Sequence, residues 1–215
     1  MFEKITENLY RLIVQGNSSN VFLIKADQNI LIDTGLEADS KKLEQALENE
    51  NLIPKDISLI LHTHGHADHI GGDILFPRAE KWMSKFDGEL VNEKDDSFVL
   101  ASWFNQYHYP EINNFYKKNQ VFEFGNFSLK VIETPGHTRG SVSFYDEKNK
   151  ILFSGDTLFK GTIGRYDLNS SSKEELTESI KKISQLDYKI LLPSHGEILR
   201  ENQKENIEAA FKLLE

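Results

Sequence analysis

Four of the chain's seven histidines lie in one short stretch, at His62, His64, His66 and His69. The last three of these and Asp68 form the pattern His-x-His-x-Asp-His over residues 64–69. Neutral imidazoles and carboxylates are the ligands by which proteins hold zinc, manganese or iron. The pattern directly follows an apolar run, residues 57–61, which predicts a buried strand. The donors would therefore lie on a loop at the carboxyl end of a strand, where open α/β sheets tend to place their sites.

Three more His or Asp side chains follow short apolar runs later in the chain, namely His137, Asp156 and His195. Each is flanked by Gly, Pro or Ser, which are the residues of sharp turns. A single His on a loop is commonly a surface residue, but four strand-to-turn junctions that all end in His or Asp indicate a shared metal site. Two histidines fall outside the series. His62 either donates a hydrogen bond behind the ligands or packs in the core, and His108 either lines a pocket or faces solvent.

Length and composition are those of a compact enzyme. The 215 residues suffice for one large domain or two fused half-domains, and we expect a single domain over residues 1–215. A net charge of −9 disfavours nucleic acid as a partner, but it leaves room for a small anionic substrate. The absence of cysteine excludes disulfides, thiolate ligands and a thiol nucleophile. No membrane association is expected, a cytoplasmic location is the default expectation, and the oligomeric state is not determined by the sequence.

The predicted elements come in two similar series. In the first, β-rich runs at residues 9–14, 20–25 and 29–33 precede an amphipathic helix at 39–50 and the strand at 57–61. In the second, a hairpin over residues 121–134 and strands at 141–145 and 151–153 precede a helix at 173–186, a strand from Ile190 and a helix at about 203–214. Between them, residues 79–120 hold many aromatic side chains, which either pack helices or form a wall of the site. This order predicts an α/β (α+β) sandwich with two sheets between helices.

Taken together, these motifs resemble the metallo-β-lactamase superfamily. The resemblance extends over nearly the whole chain and includes residues 31–35, Leu-Ile-Asp-Thr-Gly, ahead of the histidine pattern. It implies an αββα four-layer sandwich with the metal site at one end of the paired sheets. Residues 155–159 and 164–167 are most similar to hydroxyacylglutathione hydrolases (glyoxalase II) and their short relatives.

The resemblance implies two divalent ions, with zinc expected and iron or manganese as alternatives. One ion would be held by His64, His66 and His137. The second would be held by Asp68, His69 and His195. Asp156 would bridge the two ions. The implied reaction is attack by a bridging hydroxide on a thioester or ester carbonyl, with Asp68 also serving as the catalytic residue that orients the hydroxide or passes on its proton.

Four other residues are candidates for contacts around such a site. Asp33 either accepts a hydrogen bond from the metal loop or simply forms the turn before Thr34 and Gly35. By resemblance, Arg165 or Lys160 would hold an anionic substrate, although Arg165 could instead pair with Asp167. Tyr166 either donates a hydrogen bond to a substrate oxygen or packs.

Other reaction classes remain alongside the thioester hydrolase. An iron persulfide dioxygenase of the same fold would use one iron, held by residues that match His64, His137 and Asp156. A lactonase or β-lactamase-like hydrolase, and a metal-binding module without catalysis, are further alternatives. After His195 the chain has too few residues for the helical domain with which full-length glyoxalase II enzymes bind glutathione. The expected substrate is therefore a small molecule, anionic thioesters included, and glutathione recognition is left open.

Overall fold

Short apolar runs become the strands of two separate sheets, one in each half of the chain. The computed structural model describes residues 1–14 and 16–215, which divide into a first unit, residues 1–115, and a second unit, residues 116–215. Both units combine one sheet with helices, so the predicted mixed α/β fold class is confirmed. The single domain over residues 1–215 stays a prediction. Among the described residues, no helix is both long enough and apolar enough to cross a membrane.

The sheet of the first unit has seven strands in sequential order. They are β1 (Glu3–Thr6), β2 (Leu9–Leu12), β3 (Val21–Lys25), β4 (Asn29–Ile32), β5 (Ile57–Leu61), β6 (Glu80–Met83) and β7 (Asn114–Phe115). The first four strands pair antiparallel, whereas β4 to β7 pair parallel. Parallel neighbours end at the same edge of a sheet. Asp33, after β4, and the histidine pattern, after β5, are therefore brought to one edge.

The helices of the first unit are α1 (Ser40–Asn49), α2 (Ala67–Ile70), α3 (Lys85–Asn92) and α4 (Asp96–Val99). Helix α1 buries Leu43, Ala46 and Leu47, which the helical repeat places on one face. Helix α2 is a single turn within the histidine pattern. The Oγ atom of Ser84 caps α3 by accepting the backbone N–H of Asp87.

The aromatic segment of residues 79–120 has a mixed structure that the sequence did not resolve. It contains strands β6 and β7, helices α3 and α4, and a short 3-10 helix, Ala101–Phe104. Phe98 is fully buried and packs in a core cluster with Met83 and Ile112. Trp103 and Tyr107, by contrast, are mostly exposed. Some of the aromatic residues therefore pack the core, as one of the two interpretations expects, and others lie on the surface.

The second unit has a five-stranded sheet and two helices. In chain order they are β8 (Val121–Phe124), β9 (Phe127–Glu133), β10 (Val142–Asp146), β11 (Ile151–Gly155), α5 (Lys173–Ile183), β12 (Ile190–Pro193) and α6 (Gln203–Lys212). Strand β12 pairs parallel to β11, and β9 runs in the same direction because β10 is antiparallel to both β9 and β11. The carboxyl ends of β9, β11 and β12 therefore lie at one edge, which is where His137, Asp156 and His195 follow.

Helix α5 shows how the second unit buries its apolar residues. The Oγ atom of Ser172 caps the helix by accepting the N–H of Glu175. Leu176, Ile180 and Ile183 recur at helical spacing and are fully buried in one core cluster. Each such side chain stabilises the fold by about 1.5–3 kcal/mol relative to exposure. The same helix begins against the turn that carries His137, since the N–H of Ser172 donates to the carbonyl of Gly136.

The close approach of Gly136 to α5 gives a stability prediction. Gly136 has φ +134, and a Cβ atom there would lie 2.2 Å from the backbone nitrogen of Leu176. Gly161 also has positive φ, +79, but a Cβ atom there would meet nothing within 4 Å. We expect Gly161→Ala to cost roughly the 1–2 kcal/mol of left-handed backbone. Gly136→Ala should cost about 1–3 kcal/mol more because the backbone must move.

Thermal unfolding of the two metal-free variants measures this difference. The extra destabilisation corresponds to a Tm lowered by roughly 2–4 °C for each kcal/mol in a chain of this size. Equal losses of Tm in Gly136→Ala and Gly161→Ala would show that α5 accommodates the methyl group, contrary to the packing described.

Candidate metal centre

The two histidines at the start of the pattern direct ring nitrogens at a common point. The Nε2 atom of His64 lies 3.1 Å from the Nδ1 atom of His66, and both residues are buried. Two nitrogens at about 2.0–2.1 Å from one tetrahedral zinc are separated by about 3.3 Å. The pair therefore has the spacing of two ligands of one ion.

Helix α2 places the other two donors of the first unit beside this pair. The His69 ring is fully buried, with its centroid 3.9 Å from that of His64. The Oδ2 atom of Asp68 lies 3.7 Å from the Nε2 atom of His69. Because the Asp68 side chain keeps 14% of its surface exposed, it is the donor of this group that solvent reaches. The structure thus brings together all four predicted donors of the first unit.

Asp33 lies behind these donors and holds the loop that carries them. Its carboxylate accepts the backbone N–H of Thr63 at 2.9 Å, the hydroxyl of Thr63 at 2.8 Å and the Nδ1–H of His69 at 2.9 Å. The bond from His69 fixes the tautomer in which Nε2 carries the lone pair, as a metal ligand requires. Asp33 also forms the turn, with φ +55. The sequence treated these two roles as alternatives, and the geometry gives Asp33 both.

A second imidazole, that of His62, lies on the other side of Asp33. His62 Nε2 is 3.0 Å from Asp73 Oδ2, and His62 Nδ1 is 3.7 Å from Asp33 Oδ1. Burial opposes protonation of His62, but Asp73 and Asp33 outweigh it and raise the pKa to about 9. Burial likewise opposes ionisation of Asp33, yet His69 and His62 hold its pKa below the ordinary value. The two carboxylates therefore favour the protonated form of His62.

Asp87 also holds the pattern, and sequence analysis did not identify it. This fully buried residue of α3 accepts the backbone N–H of Gly65, between His64 and His66, at 3.1 Å. The carboxylate lies outside the motif, and its role depends on how α3 folds back. In the sequence, Asp87 is recognisable only as an acidic residue in the first turn of a helix, and such residues usually interact with that helix end. Asp73 was missed as well, although it lies close to the motif.

In the second unit, His137 is held by a backbone carbonyl. The Nδ1–H of His137 donates to the carbonyl oxygen of Arg165 at 2.8 Å. Because a carbonyl can only accept, this bond places the proton on Nδ1 and leaves the lone pair on Nε2. His137 Nε2 lies 3.4 Å from Asp156 Oδ2. The arrangement is that of an oriented metal-binding histidine beside a carboxylate.

Asp156 faces two histidines with its two oxygens. Oδ2 lies toward His137, and Oδ1 lies 3.6 Å from Nε2 of His195. The ring of His195 is more exposed than that of His137. The Phe159 ring packs edge-on against His195, with 5.9 Å between the ring centroids. All three predicted donors of the second unit therefore come together. Each carboxylate oxygen of Asp156 therefore has a histidine nitrogen beside it.

The segment after Asp156 carries the other candidate residues on the surface. Gly164 packs so closely that a Cβ atom would lie 1.7 Å from the carbonyl oxygen of Asp156. The Arg165 side chain forms a bidentate ion pair with Asp167 at 2.9 Å, which matches the alternative of an internal ion pair. Lys160 and Tyr166 are exposed, and the ammonium of Lys173 lies 6.0 Å from the centre of the Tyr166 ring. Substrate contacts by Arg165, Lys160 and Tyr166 stay predictions.

The buried carboxylate of Asp87 can be tested by zinc binding. Asp87→Ala removes the acceptor of the Gly65 N–H, so the loop between His64 and His66 loses its anchor. We expect zinc affinity to fall by roughly 10–100-fold, as is common when a partner behind the ligands is removed. Competition with a chromophoric chelator gives the affinity, and Asp27→Ala, at an exposed aspartate, is the control. Equal affinities in the two variants would contradict the anchoring role.

Comparisons with known proteins agree with this geometry. The Metallo-beta-lactamase superfamily profile matches residues 14–195. A probable metallo-hydrolase of Methanocaldococcus jannaschii is 33% identical over 85% of this chain and 90% of its own length. The hydroxyacylglutathione hydrolase GloC of Haemophilus influenzae is 31% identical over 88% and 91%. A protein crystallised in a di-iron-bound form is 27% identical, with a TM-score of 0.73 over 88% and 93%. The chain therefore belongs to the metallo-β-lactamase superfamily, as a metallo-hydrolase.

Proposed function

We propose that this chain hydrolyses thioester or ester bonds and that its seven His and Asp donors hold two divalent ions, most simply zinc. The observation that carries the two-ion proposal is the pair of contacts at Asp156, one oxygen toward His137 and the other toward His195. A carboxylate that served a single ion would not need a histidine beside each oxygen.

The donor set fits such ions on chemical grounds. It consists of imidazoles and carboxylates only, since the chain has no cysteine, and this set suits zinc, iron and manganese. His69 and His137 each donate Nδ1–H to an oxygen, which leaves Nε2 for a metal. The separations of 3.1–3.7 Å between neighbouring donor atoms within each unit are those of atoms that share an ion.

The residues around the donors have separate tasks in such a reaction. When bound, two divalent ions supply a water of lowered pKa and polarise the carbonyl oxygen of the substrate. Asp33 and the Arg165 carbonyl orient His69 and His137. Asp68, the partly exposed carboxylate, takes the proton of the attacking water and passes it to the leaving group. Water adds to the acyl carbon, the carbon–sulfur or carbon–oxygen bond breaks, and the products are a carboxylic acid and a thiol or alcohol.

The thioester class is supported by the similarity to the Haemophilus enzyme. That protein is named a hydroxyacylglutathione hydrolase and is matched over 91% of its length, so it has little additional chain beyond the region shared with this one. A small anionic thioester is therefore the substrate we propose. The exposed Lys160 and Tyr166, on the segment after Asp156, are available to contact it. Arg165 would have to exchange its ion pair with Asp167 for the substrate.

Substitution of the bridging carboxylate tests the two-ion arrangement. Asp156→Ala removes a ligand from both ions at once, so we expect metal content and hydrolysis to be lost together. Metal content is measured by atomic emission after dialysis, and Asp187→Ala, at an exposed carboxylate paired with Lys150, is the control. An Asp156→Ala variant that kept two ions and a near-normal rate would show that the carboxylate does not bridge.

Hydrolysis of S-D-lactoylglutathione by zinc-loaded protein tests the reaction class. The loss of thioester absorbance should proceed at an ordinary enzymatic rate, with kcat of roughly 1–1000 per second. Absence of turnover on this and on simpler thioesters, with esters and lactones also uncleaved, would contradict the proposal. One iron per chain together with oxygen consumption on a persulfide would point instead to the dioxygenase alternative.

A further inference from the structure

The fully buried cluster of His62, Asp33 and Asp73 lies directly behind the donors of α2. All three side chains have at most 1% of their surface exposed. His62 follows β5, and its backbone N–H donates to the carbonyl of Trp82 in β6, so the ring starts from a fixed backbone position. One ring nitrogen faces each carboxylate, at 3.0 Å for Asp73 and 3.7 Å for Asp33.

The two carboxylates hold opposite ends of the same ligand. Asp33 accepts the ring Nδ1–H of His69. Asp73 accepts the hydroxyl of Thr34 at 2.8 Å, and the backbone N–H of Thr34 donates to the carbonyl of His69 at 2.8 Å. The ring of His69 thus depends on Asp33, and its backbone depends on Thr34 and Asp73. His62 is the side chain that joins these two supports.

His62 compensates the buried charge of the two carboxylates. Two carboxylates that are both buried and close to one group are costly unless a cation or several donors compensate them. Asp33 has the two donors of Thr63 and the ring of His69. Asp73 is reached by the Thr34 hydroxyl and by His62. An imidazole with a nitrogen toward each carboxylate can compensate both, whereas a neutral apolar side chain of similar size cannot.

From this geometry we infer that His62 is a positioning residue that couples Asp33 to Asp73 and thereby sets the affinity for the ion that His69 binds. The inference rests on the proposed two-ion function, in which His69 serves the second ion while His64 and His66 serve the first. Of the two roles that the sequence left open for His62, the inference favours support of a ligand over simple packing.

Zinc titration of metal-free protein against a chromophoric chelator tests the inference without any substrate. His62→Gln removes the imidazole, whose two nitrogens face the two carboxylates, but keeps a polar side chain. We expect the dissociation constant of the second zinc to rise by roughly 10–100-fold, while the first stays unchanged. Lys42→Gln is the control, because it removes a positive charge from an exposed ion pair of the same unit, that of Lys42 with Asp39.

A double substitution separates coupling from packing. In His62→Gln/Asp73→Asn two amides replace the contact between imidazole and carboxylate, so Asp33 is left as the one carboxylate of the cluster. We expect the double variant to recover part of the lost affinity for the second zinc, since the effects of directly interacting groups do not add. Tm of the metal-free variants shows whether each chain is folded, and Asp73→Asn alone provides a second reading if His62→Gln does not fold.

The outcomes distinguish the inference from the function on which it rests. Two zinc ions in the wild type with an unchanged second affinity in His62→Gln would overturn the inference alone. Equal weakening of both ions, or additive losses in the double variant, would also overturn it, because either result indicates packing. A wild-type chain that binds only one zinc would contradict the proposed function and the inference together.

Discussion

Burial of the Asp33 carboxylate beneath the histidine pattern is the constraint on which the arrangement of that loop depends. A buried carboxylate is tolerated only where donors surround it. Here the donors are the backbone and hydroxyl of Thr63 and the ring of His69, which belong to the loop that must be held in place. The requirement to compensate one charge and the requirement to orient metal ligands are therefore met by the same contacts. Because β4 and β5 pair parallel, Asp33 at the end of β4 lies within hydrogen-bond distance of the loop that follows β5.

The same arrangement of strand ends recurs in the second unit with different connections. His137, Asp156 and His195 come from distant parts of the sequence, yet each follows a strand whose carboxyl end lies at one edge of the sheet. Strand termini are rigid on one side because the ladder of hydrogen bonds fixes them, and they can turn freely on the other. A ligand placed just after a strand thus inherits a fixed position without needing a long supporting loop.

Sequence patterns predicted which His and Asp side chains come together in each unit because the information lies in short segments. An apolar run followed by a turn residue and then His or Asp is a local signal, and all seven predicted donors lie at such junctions. The supports behind them were harder to predict. Asp87 contacts Gly65 only because α3 folds back on the loop, and Asp73 acts through a histidine and a threonine. Strand β6, with charged and aromatic residues, was missed because it lacks a clear two-residue alternation.

The hydrogen bond between His137 and the carbonyl of Arg165 has a consequence for how this protein could change over generations. Any amino acid at position 165 supplies the same carbonyl, so the orientation of His137 does not depend on which side chain is present. That side chain lies exposed on the segment that follows Asp156. A substitution at position 165 can therefore change the exposed side chain without removing the bond that orients His137. Position 165 thus combines a backbone role that any residue can fill with a side chain that lies at the surface.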